Sequence, residues 1–387
     1  MNPFSPQHPA QPEYFAGRKA ETDYFRETAL NSAKLKPPAP LNYAILGTWG
    51  LGKTSLLYEL EQIALTEMRK DAMCACIHYS LSPQSCKDWQ TFSANFLKTV
   101  NSTLNATSSL QSKIKSELNK WQLTLNFGFV GAQRVGSPQV QAPDMLGSLK
   151  DLWKKHLQPA GIDIVFVLLD DFHYFPIAGE DSAYLSLRSL FQELVNQKCN
   201  YSLVVTAHAG LFTEIAEIAE PVLRFFKRFD LKPFTFDDAR EAIDKRLQVA
   251  QMNLKLDDDV VQTIVDRTAG HPYILMFTMF EILMRLKETK RIDFASFQKV
   301  WGPIESDIGE TVFLQKFLGA SEKERELLLK IGANESEEFS PADFRSVRGV
   351  NELCSRLEDK EFLVKLGRGK YTLFHPLFAK YLKRKAT

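Results

Sequence analysis

The sequence is poor in every feature that would set it apart from an ordinary globular protein. It has 5 cysteines in 387 residues: Cys74, Cys76, Cys86, Cys199 and Cys354. The count is odd, and no second Cys pair or Cys/His pair sits at zinc-ligand spacing. That excludes a disulfide scaffold and a zinc module, and it fits a reducing cytosol. Cys74 and Cys76 form a C-x-C in an apolar run that reads as a strand, where both would share one face as small buried hydrophobes. An excess of either charge is also missing. With 48 basic and 47 acidic residues the net charge is +1, so no global field argues for nucleic acid or a membrane surface. Long hydrophobic runs are absent too. The stretch Tyr273 to Leu286 is interrupted by Glu281 and is too short to span a bilayer. Residues Met1 to Glu13 carry Pro3, Pro6, Pro9 and Pro12 where a signal peptide would have an apolar core. The expectation is a cytoplasmic protein without membrane contact, in which the N-x-S/T triplets at Asn101, Asn105 and Asn200 carry no glycan. There is no internal repeat.

What is present is core material. Apolar residues make up 44% of the chain, with 28 Phe, and charged residues 25%. The length predicts two to three domains. After the Pro-rich, extended segment, Lys19 to Ser32 has helical periodicity and is ended by Lys36-Pro37-Pro38-Ala39-Pro40. Short strands are predicted at Asn42 to Leu46, Met73 to Leu81, Ile164 to Leu169, Tyr201 to Thr206 and Phe229 to Leu231. The continuous apolar run at 164–169 is the mark of a strand buried on both faces. Helices are predicted at 53–70, 86–121, 144–157 and 181–197. Alternation over 122–130 predicts a strand or hairpin arm that would suit self-association, followed by a loop over 131–143. Strands alternating with helices from 42 to 232 predict a doubly wound α/β domain. Beyond Pro233 only helices are expected, at 236–250, 257–268, 272–287 and 293–302. Three helical stretches follow over 321–387, the last two separated by a hairpin around Gly367-Arg368-Gly369, which is the pattern of a winged helix.

The chemistry begins at Gly47-Thr48-Trp49-Gly50-Leu51-Gly52-Lys53-Thr54, a full match to G-x-x-x-x-G-K-[ST], with Ser55 next in the helix. A strand precedes it and an amphipathic helix follows. The glycines let consecutive N–H groups curl toward phosphate oxygens, and the helix N-terminus adds positive potential. Lys53 would reach the β- and γ-phosphates of ATP, and the Thr54 hydroxyl would ligate Mg²⁺. Asp170, at the end of the 164–169 run, is the matching metal-side carboxylate. Asp171 either polarises the attacking water, a role in which its short side chain predicts slow hydrolysis, or caps the next helix. Thr206 ends its strand where a hydroxyl can sense the γ-phosphate or the water. His208, two residues on, is either part of that site or a packing residue. Arg224 and Arg228 precede the strand at Phe229. They are either a solvated basic cluster with Lys227 or an arginine supply for a neighbouring subunit's γ-phosphate.

Two further segments carry a resemblance. Phe15-Ala16-Gly17-Arg18-Lys19-Ala20-Glu21 resembles the h-h-G-R-x-x-E box that packs on adenine in AAA+ initiators and STAND ATPases. Gly270-His271-Pro272 resembles the G-x-P motif of their helical lid. With the phosphate loop, the Asp-Asp strand end and the Thr206 strand in the order of that group, the chain resembles archaeal and bacterial AAA+ ATPases of the origin-recognition-like or STAND type, including those that open with Asn-Pro-Phe, here Asn2-Pro3-Phe4. Origin-recognition initiators usually carry an arginine after the lid glycine. Gly270-His271-Pro272-Tyr273 has none, which leans toward STAND. The resemblance implies an AAA+-type P-loop core over 15–232, an all-α lid over 233–308 and a winged helix over 309–387. It implies ATP/ADP with Mg²⁺, nucleotide contacts from Phe15, Gly17, Arg18, Gly270 and Pro272, and hydrolysis driving a switch in conformation or assembly. Partners implied are a homo-oligomer and a protein docking on the winged helix. The helix at 350–360 carries Arg356 and Lys360 but also Glu352, Glu358 and Asp359, a poor groove binder. Lys365, Arg368 and Lys370 on the wing could hold DNA phosphates instead. A DNA-binding initiator or loader and a nucleotide-bound scaffold with little hydrolysis are the alternatives.

Overall fold

A computed structural model describes residues 2–106, 144–175, 183–208, 210–212, 215, 221–287, 289–334 and 336–386. The arm expected at 122–130 and the loop over 131–143 lie outside the described residues, as does the end of the helix expected to reach 121. The chain divides into two compact units. A sheet unit takes Arg18–Gly47 and Lys53–Asp230; a helical unit takes Met1–Gly17, Thr48–Gly52 and Leu231–Thr387.

The sheet unit is built on five parallel strands: β1 (Asn42–Leu46), β2 (Cys74–Ser80), β3 (Ile164–Asp170), β4 (Tyr201–Ala207) and β5 (Phe226–Asp230), in the order β2-β3-β4-β1-β5. Every residue of β1, β3 and β4 is buried, as expected of central strands covered on both faces. One face packs on α3 (Trp89–Ala106), α4 (Met145–Leu152) and α5 (Ala183–Asn196), through Phe92, Phe96, Leu149 and Leu187. The other carries α1 (Lys19–Lys34), whose Phe25 ring lies 5.1 Å from Tyr43 and 5.3 Å from Phe166. The fold is therefore the doubly wound α/β arrangement read from the sequence. β5 begins at Phe226, not at Phe229, so Arg228 lies inside the strand. As an edge strand that pairs, among the described residues, with β1 alone, it can expose Lys227 and Arg228, and charge there hid it from an apolar-run criterion. The helix after the Gly47–Gly52 loop, α2 (Lys53–Gln62), buries Leu56, Leu57 and Leu60, then continues as a π-turn over Ile63–Glu67 and a 3₁₀ turn over Met68–Lys70, so the helical run ends at the expected Lys70.

In the helical unit, α6 (Phe236–Val249) opens on a capping box in which Thr235 and Asp238 satisfy each other's backbone N–H groups. The other helices are α7 (Asp258–Arg267), α8 (Pro272–Arg285), α9 (Phe294–Asp307), α10 (Leu314–Leu318), α11 (Glu322–Ala333), α12 (Val350–Asp359) and α13 (Pro376–Ala386). The stretch is not purely helical. β6 (Lys255–Leu256) and β7 (Arg291–Ile292) pair in parallel, and two-residue strands leave no periodicity to read. At the C-terminal end β8 (Glu338–Phe339), β9 (Leu363–Gly367) and β10 (Lys370–Leu373) form an antiparallel sheet, β9 and β10 being the expected hairpin. One apolar cluster joins α6 through α13, and Phe4 is inserted into it with 1% of its surface exposed. The Asn2 amide donates to the Phe280 carbonyl at 3.0 Å, so the Pro-rich segment is anchored here.

Candidate nucleotide site

The sheet unit gathers Thr54, Asp170, Asp171 and Thr206 at the carboxyl ends of its strands, with Lys53 and His208 beside them. β4 lies between β1 and β3, so Thr206 can reach the carboxylate that ends β3. Asp170 is 5% exposed and receives three hydroxyl hydrogen bonds from two threonines. Thr54 donates to its two oxygens at 3.0 and 3.3 Å, and fully buried Thr206 donates at 2.5 Å. The Thr206 hydroxyl also accepts the Asp171 N–H at 2.9 Å. Asp171 has φ 57° and ψ 45°, a left-handed conformation that a non-glycine residue holds only against a cost. Thr206 thus holds both the carboxylate and the bend that follows it. Lys53, at the start of α2, donates to the Gly47 carbonyl at 2.9 Å, and the Gly47 N–H reaches the Ala207 carbonyl at 3.2 Å. His208 is neutral: burial, then the nearby Lys53 charge, push its pKa down to about 4, and its Nδ1 accepts the Leu211 N–H at 3.0 Å.

The two arginines do not join this group within the chain. Arg228 is aligned with Ala44, short of the end of β1, and pairs with Asp230 at 2.7 Å. Arg224 is exposed in the turn before β5, near the level of Asn42 at the amino end of the sheet. Arg18 caps α1 with its carbonyl, accepting the Thr22 N–H at 3.0 Å, and is 9% exposed.

The helical unit holds the rest. The Gly17 N–H donates to Glu241 at 3.1 Å, and the carbonyl of buried Phe15 accepts from Lys245. The tip of the phosphate loop belongs to this unit. The Trp49 carbonyl accepts from His271 Nε2 at 2.9 Å, and the Gly50 carbonyl accepts the Tyr273 N–H at 3.2 Å. Gly50 has φ 78°, and a Cβ there would stand 2.4 Å from His271 Cε1. Gly270 has φ 64°, and its Cβ would lie 2.2 Å from the Phe234 carbonyl oxygen, so both positions require glycine for shape as well as conformation. Pro272 starts α8 at its first position, where no N–H is needed. The Trp49 indole packs on Tyr273, with ring centroids 4.5 Å apart, and has Lys316 Nζ over it at 5.4 Å. Thr48, Leu51 and Gly52 complete the tip; Leu51 is buried. In the sequence His271 is only the variable residue of G-x-P, whereas Trp49 counts among the loop residues expected to contact nucleotide. A histidine directly before a helix-starting proline was the one local signal for His271; its burial is not visible in the sequence.

No family model matches the chain, and no curated protein matches it in sequence. Solved structures do match over its whole length. The Walker-type ATPase PABY2304 of Pyrococcus abyssi is 17% identical with a TM-score of 0.63, covering 98% of this chain and 99% of that one. The ORC2 protein of Aeropyrum pernix, in its ADPNP-ADP complexes, is 12% identical with a TM-score of 0.61, covering 100% and 97%. The chain has the α/β P-loop fold that these ATPases share.

Proposed function

We propose that the chain binds ATP and ADP with Mg²⁺ and hydrolyses ATP as an AAA+/STAND-type switch. The observation that carries this reading is the linked set Thr54–Asp170–Thr206 beside Lys53. Loop N–H groups from Gly47 to Gly52 would cradle the phosphates, with Lys53 on the β- and γ-oxygens and Ser55 behind. Thr54 and Asp170 offer hard oxygen donors 3.0 Å apart, the donor set of a Mg²⁺ ion that keeps most of its waters. Bound there, the ion would offset phosphate charge. Thr206 orients Asp170 and Asp171, and Asp171 would polarise the attacking water. Phe15, Gly17 and Arg18 would serve the base, and Gly270 and Pro272 the lid. Arg224 and Arg228 would act only on a neighbouring copy, in a homo-oligomer.

We read 15–232 as core, 233–308 as lid and 309–387 as a winged helix that docks a protein partner. Lys316 supports a read-out there. Its ammonium lies over Trp49 of the loop, over Phe362 at 4.8 Å and over Phe374 at 5.0 Å, and it donates to the Lys360 carbonyl at 3.2 Å. A change at the loop tip would be felt in the C-terminal segment. The exposed wing favours a second reading, DNA-phosphate contact through Lys365, Arg368 and Lys370. Against groove reading by α12, Lys360 and Arg356 turn to Glu324, which is 1% exposed, at 2.6 and 3.8 Å. Titration calorimetry of ADP into wild type and Lys53→Ala tests the proposal. Saturable binding that Lys53→Ala weakens supports it; no binding by wild type rejects it. Salt-sensitive binding to mixed duplex would promote the second reading.

A further inference from the structure

The lid turn grips the phosphate loop by its backbone, and this has a consequence for which way the loop's N–H groups point. In a trans peptide the C=O of one residue and the N–H of the next point in opposite directions. His271 Nε2 holds the Trp49 carbonyl at 2.9 Å, so the Gly50 N–H is directed away from His271. The Tyr273 N–H holds the Gly50 carbonyl at 3.2 Å, so the Leu51 N–H is directed away from the start of α8, toward the Thr48 carbonyl at 3.4 Å. Two successive donors of the loop are thereby aimed by the lid. We propose that His271 is a positioning residue for phosphate binding, which acts through the Trp49–Gly50 peptide and touches no nucleotide atom itself. The inference rests on the nucleotide-binding reading above.

Several observations agree that this contact is built. A carbonyl oxygen can only accept, so Nε2 carries the proton and Nδ1 does not. His271 is 4% exposed, and its Nδ1 has no hydrogen-bond partner among the described residues. Protonating Nδ1 would bury a second N–H among apolar groups with His375 and Lys316 near, and burial pushes the pKa down to about 3. The ring is therefore a neutral donor throughout the physiological range. His375 buttresses it. Its Nδ1 accepts the Leu377 N–H at 3.0 Å, so its Nε2–H donates to the Thr268 carbonyl at 2.8 Å, the same carbonyl that accepts the His271 N–H at 2.9 Å. Absence of a side chain at Gly50 is what allows the ring so close to the loop.

The test compares His271→Leu, which keeps an apolar side chain of similar size without a donor, with His271→Gln, whose amide nitrogen can replace Nε2–H. ADP affinity is measured by calorimetry on the full chain, and thermal unfolding checks the fold of each variant. Losing the donor and leaving a buried carbonyl unpaired should weaken ADP about 10- to 100-fold in His271→Leu, with His271→Gln within about 3-fold of wild type. A Leu variant that binds like wild type while Lys53→Ala does not would overturn the inference and leave the function standing. Equal losses in Leu and Gln, with unchanged unfolding, would also overturn it, since packing would then explain both. Failure of wild type to bind ADP would remove the function and this inference together.

Discussion

Thr206→Val removes a single oxygen from the centre of the candidate site and keeps the side chain's shape. The hydroxyl is fully buried, donates to the Asp170 carboxylate and accepts the Asp171 N–H at 2.9 Å. A hydrogen bond to a charged group contributes about 1.5–3 kcal/mol and a neutral one about 0.5–1.5. The left-handed Asp171 costs about 1–2 kcal/mol to hold and loses its tether. The added methyl recovers little because it would face a carboxylate. A net loss of about 2–4 kcal/mol is expected, carried by the sheet unit. Thr206→Ser keeps both hydrogen bonds and should lose less than half as much. Native-state hydrogen exchange at amides of β3 and β4, with urea unfolding beside it, reads the effect where a single melting temperature for a two-unit chain would not. A Val variant within about 0.5 kcal/mol of wild type would refute the claim that Thr206 organises the end of β3.

Three other outcomes follow from the helical unit. Phe4→Ala should destabilise it by about 3–5 kcal/mol, because a fully buried ring is deleted, and limited proteolysis should then release the N-terminal segment. Gly270→Ala should be worse tolerated than an ordinary helix-end substitution, by about 3 kcal/mol or more, since strain at φ 64° adds to a 2.2 Å clash with backbone; a variant with unchanged unfolding would show that the turn can shift. Acid should destabilise the unit through His271 and His375, whose burial lowers their pKa values to about 3 and about 4, against about 6.5 in the unfolded chain. The unfolded chain then binds more protons, so stability is complete above about pH 6.5 and falls as pH drops toward 4, by up to ~1.4 kcal/mol per pH unit for each ring. Urea midpoints that stay flat from pH 7 to pH 5 would contradict that assignment.

The parts of the fold that were legible in the sequence are those written in contiguous residues. The strand–loop–helix around Gly47–Thr54, the apolar run ending in Asp170 and the hairpin around Gly367-Arg368-Gly369 each carry their own local signal. What was not legible depends on neighbours far along the chain. β5 could start at Phe226 with two charges because, among the described residues, only one of its edges is paired. β6 and β7 exist only because 255–256 and 291–292 meet. His271 gains its role from a carbonyl 222 positions away, and Thr48–Gly52 belongs to the helical unit although both its sequence neighbours belong to the sheet unit. Phe4 looked like part of an extended tail because its partners lie on helices beyond residue 233. In Arg356 and Lys360 the sequence showed positive charge, but not that Glu324 takes it up.

ATP binding and turnover at Lys53 would show in steady-state ATP hydrolysis with Mg²⁺, comparing wild type with Lys53→Ala, over a range of protein concentrations and with or without mixed-sequence duplex DNA. The expected result is slow turnover that Lys53→Ala abolishes and that DNA leaves unchanged. A rate rising with concentration, and lost in Arg224→Ala or Arg228→Ala, would assign an arginine to a neighbouring copy. Turnover undiminished by Lys53→Ala would contradict the assignment of the phosphate loop as the working site.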